Sequence, residues 1–249
     1  MAYFKPYPRF WFSGGKKFRD LLNQLSSTVR VNEENAPVFA ADNMILIGKI
    51  SGFLKEDKFV ELANKFFLND NLHSSIIWRI YTLSWAIDFC KNLDGDFIDF
   101  GCYDAKVAEF LIEYNEISKL NKLFFLYDIF DNPPTEKAEK HSPNLYGDVS
   151  KRLKKYDFVR VIPGLLPETF KNNIPEKISF VHLDLNSAET EVSLLEMLFD
   201  KVVSGGIIIL DDYGHMGYEQ QYSEEKYFFN QLGYSVLELP TGAGMVIKR

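Results

Sequence analysis

Ile178-Ser179-Phe180-Val181-His182-Leu183-Asp184 and Gly206-Ile207-Ile208-Ile209-Leu210-Asp211-Asp212-Tyr213 are two short apolar runs, each stopped abruptly by carboxylates. Runs of this length and β-branched content read as strands buried on both faces, as strands of a parallel sheet are. In an open α/β sheet, ligands bind in the crevice beyond the carboxyl ends of the strands. Asp184, Asp211 and Asp212 therefore converge on one site if the two strands are neighbours. Three clustered carboxylates repel one another, and a hard, oxygen-seeking cation such as Mg²⁺ is the simplest relief. The structural alternative is that Asp211 and Asp212 cap the following turn while Asp184 caps the next helix.

Around these runs the chain alternates strand and helix. The pattern predicts a strand over 97–100, a helix to about 114, a strand over 123–127, a loop through Asp131-Asn132-Pro133-Pro134 and a strand over 158–162. It continues with a strand over 178–183, a helix over 189–203, a strand over 207–210 and a helix over about 219–232. Such alternation implies right-handed βαβ units and a parallel sheet. The rhythm then changes, because 234–239 and 245–248 are separated only by Pro240-Thr241-Gly242-Ala243-Gly244, which suits a hairpin and not a helical crossover. A parallel sheet finishing in an antiparallel hairpin resembles the topology of class I methyltransferases. Upstream, residues 1 to about 50 read as irregular, broken by Pro6, Pro8 and Gly14-Gly15, apart from one helix over 16–26. Two further helices are expected over 56–68 and 74–93. The expected organisation is an arm or lid and helical cap over 1–93, followed by the ligand-binding α/β core over 94–249.

The 249 residues suffice for one α/β domain with such an extension. Shares of 46% hydrophobic and 25% charged residues are ordinary, whereas 15% aromatic is high and asks for a large core or aromatic-lined pockets. A net charge of −7 argues against a nucleic-acid partner, since the densest basic run, Lys151-Arg152-Leu153-Lys154-Lys155, reads as a solvated helix face. Cys90 and Cys102 are too few for a disulfide framework and lack zinc-site spacing. The start, Met1-Ala2-Tyr3-Phe4-Lys5-Pro6-Tyr7-Pro8, lacks the basic-then-apolar pattern of a signal peptide, and no apolar stretch is long enough to span a bilayer. A cytoplasmic protein without a membrane partner is expected.

Ile98-Asp99-Phe100-Gly101-Cys102-Tyr103-Asp104-Ala105 places an acid and a glycine where the first core strand turns into a helix. A glycine there lets backbone pass close to a nucleotide-like ligand, and the helix N-terminus offers N–H groups to an anion. The further glycines that such loops often carry, four and six residues after the acid, are here Tyr103 and Ala105. Asp128, ending the next strand within Leu126-Tyr127-Asp128-Ile129-Phe130, can accept both hydroxyls of a ribose, with Phe130 near an adenine; the plainer reading is a turn cap. A dinucleotide site expects a G-x-G-x-x-G turn, and no strand here is followed by one. S-adenosylmethionine has no pyrophosphate and needs fewer glycines, so the pattern favours it. His182 lies inside a strand, as a packed or cofactor-facing side chain, while His215, in a Gly-Tyr-rich loop, is the best-placed free base. A cation held by the acid trio would orient an acceptor hydroxyl and lower its pKa for attack on the sulfonium methyl.

Several separate motifs in order carry a closer resemblance. They are Ala41-Asp42-Asn43-Met44-Ile45-Leu46-Ile47-Gly48, Trp78-Arg79-Ile80-Tyr81, Gly95-Asp96-Phe97-Ile98-Asp99-Phe100-Gly101, His182-Leu183-Asp184, Gly205-Gly206-Ile207-Ile208-Ile209-Leu210-Asp211-Asp212-Tyr213 and Leu239-Pro240-Thr241-Gly242. From about residue 40 to the end, the chain resembles the macrocin O-methyltransferase (TylF-like) family. The resemblance implies a class I, Rossmann-like sheet of seven mostly parallel strands, the last antiparallel, with helices on both faces and an N-terminal helical or lid extension. It implies S-adenosylmethionine as donor and Mg²⁺-dependent methylation of a small hydroxylated acceptor, a sugar or glycosylated metabolite. By position it assigns Asp99 and Gly101 to the cofactor loop, Asp128 to the ribose, and Asp184, Asp211 and Asp212 to the metal; Tyr103, Phe130 and His182 are further cofactor-binding candidates.

Two positions depart from the family pattern. The cofactor loop reads Cys102-Tyr103-Asp104-Ala105 where the family has glycines, and Asn186 stands where it has a second acid proposed as general base. An amide cannot accept a proton at neutral pH, so the base is Asp184 acting with the metal, or His215, or catalysis of this kind is absent. The last case would be a non-catalytic protein that binds the cofactor for sensing or assembly. A homo-oligomer is compatible with all of these readings.

Overall fold

The computed structural model describes residues 4, 6, 15–31, 34–35, 38–131 and 142–249. Pro8, Gly14 and the loop prolines Pro133 and Pro134 lie outside the described residues. The chain divides into two compact units, Met1–Thr82 and Leu83–Arg249.

In the first unit, helix α1 (Gly15–Thr28) precedes two antiparallel pairs, β1 (Arg30–Val31) with β2 (Glu34–Asn35) and β3 (Val38–Ala41) with β4 (Met44–Ile47). The irregular stretch expected to about residue 50 is thereby corrected. Asp42 and Asn43 both take left-handed φ values, 51° and 54°, which gives a two-residue turn whose twist matches the flanking strands. Phe39, Ala41 and Met44 are buried by the pairing. Helix α2 (Asp57–Phe67) falls where expected, but the continuous helix over 74–93 does not form. It is split at Ile76 into α3 (Asn71–Ser75) and α4 (Ile77–Cys90). Asp42 holds the break: its N–H donates to the Ser75 carbonyl at 2.8 Å, and its carboxylate accepts the Trp78 N–H at 2.8 Å, one of the otherwise unpaired donors of α4's first turn.

The second unit is built on β5 (Asp96–Phe100), β6 (Phe124–Asp128), β7 (Val159–Pro163), β8 (Ile178–Leu183), β9 (Val202–Leu210), β10 (Leu237–Glu238) and β11 (Gly244–Ile247). These form one sheet in the order β10-β11-β9-β8-β5-β6-β7. Strands β5 to β9 pair in parallel, β11 runs antiparallel to β9 and β10 to β11, as the sequence pattern predicts. The connections carry α5 (Lys106–Tyr114), α6 (Leu145–Leu153), α7 (Glu168–Lys171), α8 (Ala188–Leu198) and α9 (Glu219–Gln231). Helix α8 is shorter than expected. A 3₁₀ turn over Phe199–Lys201 follows it, and β9 starts at Val202 because Val202 pairs with Ile178 while Ile207 pairs with Phe180, so the residues between form a bulge at Gly205.

All six residues of β8 are buried, which requires cover on both sides of the sheet. On one face Ile98, Phe100, Val181, Leu183, Ile208 and Leu210 pack with Leu194, Leu195 and Leu198 of α8 and Phe229 of α9. On the other, Phe97 meets Phe124 and Phe180 edge-on, with ring centroids 6.1 and 6.0 Å apart. Each such side chain contributes about 1.5–3 kcal/mol by leaving water, which is what holds β8 and β9 side by side.

Gly101 lets β5 and β8 end so close together. It has φ 86°, and a Cβ built on it would overlap the Asp184 backbone carbonyl. Gly101→Ala should therefore cost roughly 2–4 kcal/mol of stability, from the clash and the left-handed backbone together. Urea unfolding checks this, and an unchanged midpoint would contradict the close approach.

Candidate functional site

The last residues of β8 and β9, Leu183 and Leu210, are in register, and the ladder runs on past them. Asp211 N–H donates to the Leu183 carbonyl and Asp184 N–H to the Phe100 carbonyl, each at 2.9 Å. The backbone of both acids is thus fixed before their side chains are placed. Asp184, Asp211 and Asp212 each offer a carboxylate oxygen, and these lie within 4.8 Å of one another. The three acids that the sequence marked as strand endings are one cluster. At that separation each ionised pair repels by roughly 3 kcal/mol or more at an effective dielectric of about 20.

Asn186 sits in the middle of this charge. Its Nδ2 donates to Asp184 Oδ1 at 3.1 Å and to Asp212 Oδ2 at 2.8 Å, and its Oδ1 accepts the Tyr218 hydroxyl at 3.1 Å. The amide is therefore a clasp on two of the three acids, held from behind by a phenol. Asn186 reaches this position with a left-handed φ of 57°. His182, one strand residue before Leu183, lies between two buried acids: Nδ1 is 2.8 Å from Asp99 Oδ1 and Nε2 is 3.4 Å from Asp211 Oδ1. Burial by itself would push this imidazole down, but the bonds to Asp211 and Asp99 and their charges outweigh it and hold the ring well above the ordinary histidine range.

The residues expected to bind the cofactor gather at the same carboxyl edge, after β5 and β6. Asp99 is buried against His182. Asp128 accepts the Tyr103 N–H at 2.7 Å and the Phe130 N–H at 2.8 Å, so it pins both loops, the turn-capping geometry foreseen as the plainer reading. Tyr103 and Ala105, where such loops often carry glycine, take φ 48° and 53°. The glycine-type backbone shape is thus kept by residues with side chains. Phe130 is fully buried, its ring 5.7 Å from that of Tyr146.

His215 follows the acids, with its N–H on the Asp212 carbonyl at 3.1 Å. Its ring lies over Gly242 of the C-terminal hairpin, where a Cβ would come within 2.6 Å of Nε2. A cavity of about 340 Å³ opens beside Asn186, lined by Ser187, Glu189, Tyr218, Gln220 and Gln221 among others. Tyr218 and these lining residues were not singled out from sequence, since a tyrosine in a polar loop carries no periodic signal.

A family model described as macrocin-O-methyltransferase (TylF) matches residues 90–228, more than half of the chain. No curated protein sequence matches significantly. Among solved structures, the chain is similar to the O-methyltransferase NovP (16% identity, 70% of this chain and 81% of that one, TM-score 0.56). It is also similar to the calicheamicin methyltransferase CalS11 (12% identity, 96% and 95%, TM-score 0.58). A third likeness is to the S-adenosylhomocysteine-bound methyltransferase PaMTH1 of Podospora anserina (15% identity, 97% and 99%, TM-score 0.52). At these identities the structures establish the class I methyltransferase fold.

The environment of His182 fixes a sign for its pH dependence. Because its folded-state pKa is raised, the stability it contributes is complete below the unfolded value of about 6.5 and is lost as pH rises through the folded value. NMR titration should find the ring still protonated at neutral pH, and His182→Gln should flatten the alkaline loss of stability. A ring titrating at the ordinary value would contradict the pairing.

Proposed function

The chain belongs to the macrocin-O-methyltransferase (TylF) family and is an S-adenosylmethionine-dependent O-methyltransferase. From that premise we propose that it methylates a hydroxyl of a small polyhydroxylated acceptor, a sugar or glycosylated metabolite, with the help of Mg²⁺ or a similar divalent cation. The observation that carries this reading is the convergence of Asp184, Asp211 and Asp212. Three carboxylates at one point are the hard-oxygen donor set that such cations take, and without a cation they are a standing repulsion.

The donor supplies an electrophilic sulfonium methyl for in-line displacement, and the cation, held by the three aspartates, would supply Lewis-acid polarisation of the acceptor hydroxyl. The protein's own part is positioning and proton handling. Asp99, Gly101 and Tyr103 are proposed to receive the methionine end of the donor, and Asp128 with Phe130 its adenosine. His182 holds Asp99 and Asp211 at fixed orientation through its two ring nitrogens. Asn186 cannot take the acceptor's proton, so its role is to orient Asp184 and Asp212. Asp184 is partly exposed and bonded to Asn186, which lines the polar cavity. It is the proposed proton acceptor, with His215 the alternative.

The cavity's amides and hydroxyls suit an acceptor rich in hydroxyls. A small-molecule partner is also favoured by the basic run at 151–155, where Arg152 and Lys155 both pair with Glu109 at 2.8 and 2.7 Å. Among the described residues no helix is long and apolar enough to cross a membrane. Under this reading residues 94–249 are the donor-binding core and 1–93 a separate extension.

Asp211→Asn and Asp212→Asn should each lower turnover by roughly a hundredfold or more while leaving donor affinity nearly intact, as read by activity assay and calorimetric titration. Full turnover in both variants would argue against metal assistance. Asn186→Asp replaces the clasp with a fourth charge. It should lower the melting temperature without metal and enlarge the rise on adding Mg²⁺; a smaller rise than wild type would contradict the placement of Asn186.

A further inference from the structure

Two carboxyl groups lie buried between α8 and α9, outside the residues assigned so far. Glu191 is 1% exposed and Glu225 is fully buried. Glu191 Oε1 accepts the Leu185 N–H at 2.9 Å and Gln221 Nε2 at 3.1 Å. Neither oxygen of Glu225 meets an N–H or O–H group. Burial, then the hydrogen bonding and charge of the neighbouring Glu191, then the charge of Asp212, push Glu225 up to about 11.

Through the Leu185 N–H, Glu191 anchors the backbone at a decisive place. Leu185 stands between Asp184 and Asn186, in a turn where Asn186 is left-handed. Below it Ser187 caps α8, its hydroxyl accepting the Thr190 N–H at 3.4 Å. We propose that Glu191, braced by Gln221 and buried with Glu225 between the two helices, is a positioning residue that clamps the 184–186 turn to α9 and so aims Asp184 and Asn186 at the other two aspartates. This rests on the function proposed above for its consequence in catalysis, but the clamp itself is a statement about the turn.

Replacing both acids by leucine separates aim from stability, because a buried polar pair exchanged for apolar groups of similar volume is often neutral or stabilising. Glu191→Leu with Glu225→Leu should keep the melting temperature near wild type, speed exchange of the Leu185 amide proton by at least about tenfold, and weaken Mg²⁺ binding by about tenfold with donor affinity unchanged. Glu225→Gln, which keeps the side chain's size and polarity and leaves the Glu191 bonds to Leu185 and Gln221 in place, should retain both properties within about twofold and stands as the control if the double variant folds poorly. Leu185 protection and Mg²⁺ affinity at wild-type levels in the double variant, or their loss in Glu225→Gln, would overturn the clamp. A wild-type protein that binds no Mg²⁺ would overturn the metal reading instead, and Leu185 exchange alone would then decide the clamp.

Discussion

Like charges gathered at the ends of two adjacent parallel strands set the terms for everything around them. Three carboxylates within 4.8 Å of one another cost roughly 10 kcal/mol in mutual repulsion at an effective dielectric of about 20, which is comparable with the whole net stability of a domain. Such an arrangement persists only if other groups hold it. The apolar faces of β8 and β9 supply the gross restraint, and the ladder bonds of Asp184 and Asp211 fix the backbone. The Asn186 amide and the His182 imidazole, each touching two acids, relieve part of the charge. Perturbed, crowded ionisable groups of this kind cluster at functional sites, which is why the cluster is the candidate site.

The same edge also concentrates backbone strain. Tyr103, Ala105, Phe130 and Asn186 all have left-handed φ between 48° and 57° without being glycine, and all lie in the turns after β5, β6 and β8. Each costs about 1–2 kcal/mol against a relaxed conformation. Buried acids hold three of these turns. Asp128 takes the N–H groups of Tyr103 and Phe130, and Glu191 that of Leu185. Acids flanking the site therefore shape its loops, with Tyr103 and Ala105 in the left-handed conformation that glycine more often takes.

The strand endings were legible because an apolar run and its terminal acid are adjacent in sequence, and β8 runs over Ile178–Leu183 as the pattern predicts. The parallel strands and the antiparallel hairpin that ends the sheet followed from strand–helix alternation and a final loop too short for a crossover. The break between α3 and α4 was not legible: the apolar pattern continues through Ile76 and Ile77, while the group that stabilises the break, Asp42, is distant in sequence from the Trp78 N–H it accepts. The turn at Asp42-Asn43 was hidden because its strands are only four residues long. In the site, the role of His182 needed strand order, since Asp99 and Ile209 become its neighbours only when β5, β8 and β9 are known to pair in that register. Glu191 and Glu225 read as ordinary helix acids until α8 and α9 bury them together.

The two halves of the site are supported from different sides, and this has a consequence for how it can vary. Asp99 and His182 project on the sheet face that carries Phe97 and Phe180, and Asp128 governs the loops after β5 and β6. The turn bearing Asp184 and Asn186 is instead held from α8 and α9, against the opposite face. Changes in the packing of α8 and α9 therefore act first on the 184–186 turn and the cavity beside it. Beside the backbone bond from Asp184 to Phe100 and the close approach at Gly101, the imidazole of His182 joins the two halves, bonded to Asp99 on one side and Asp211 on the other. A ring with both nitrogens so engaged has no freedom to turn, so it fixes the spacing between the Asp99 and Asp211 carboxylates.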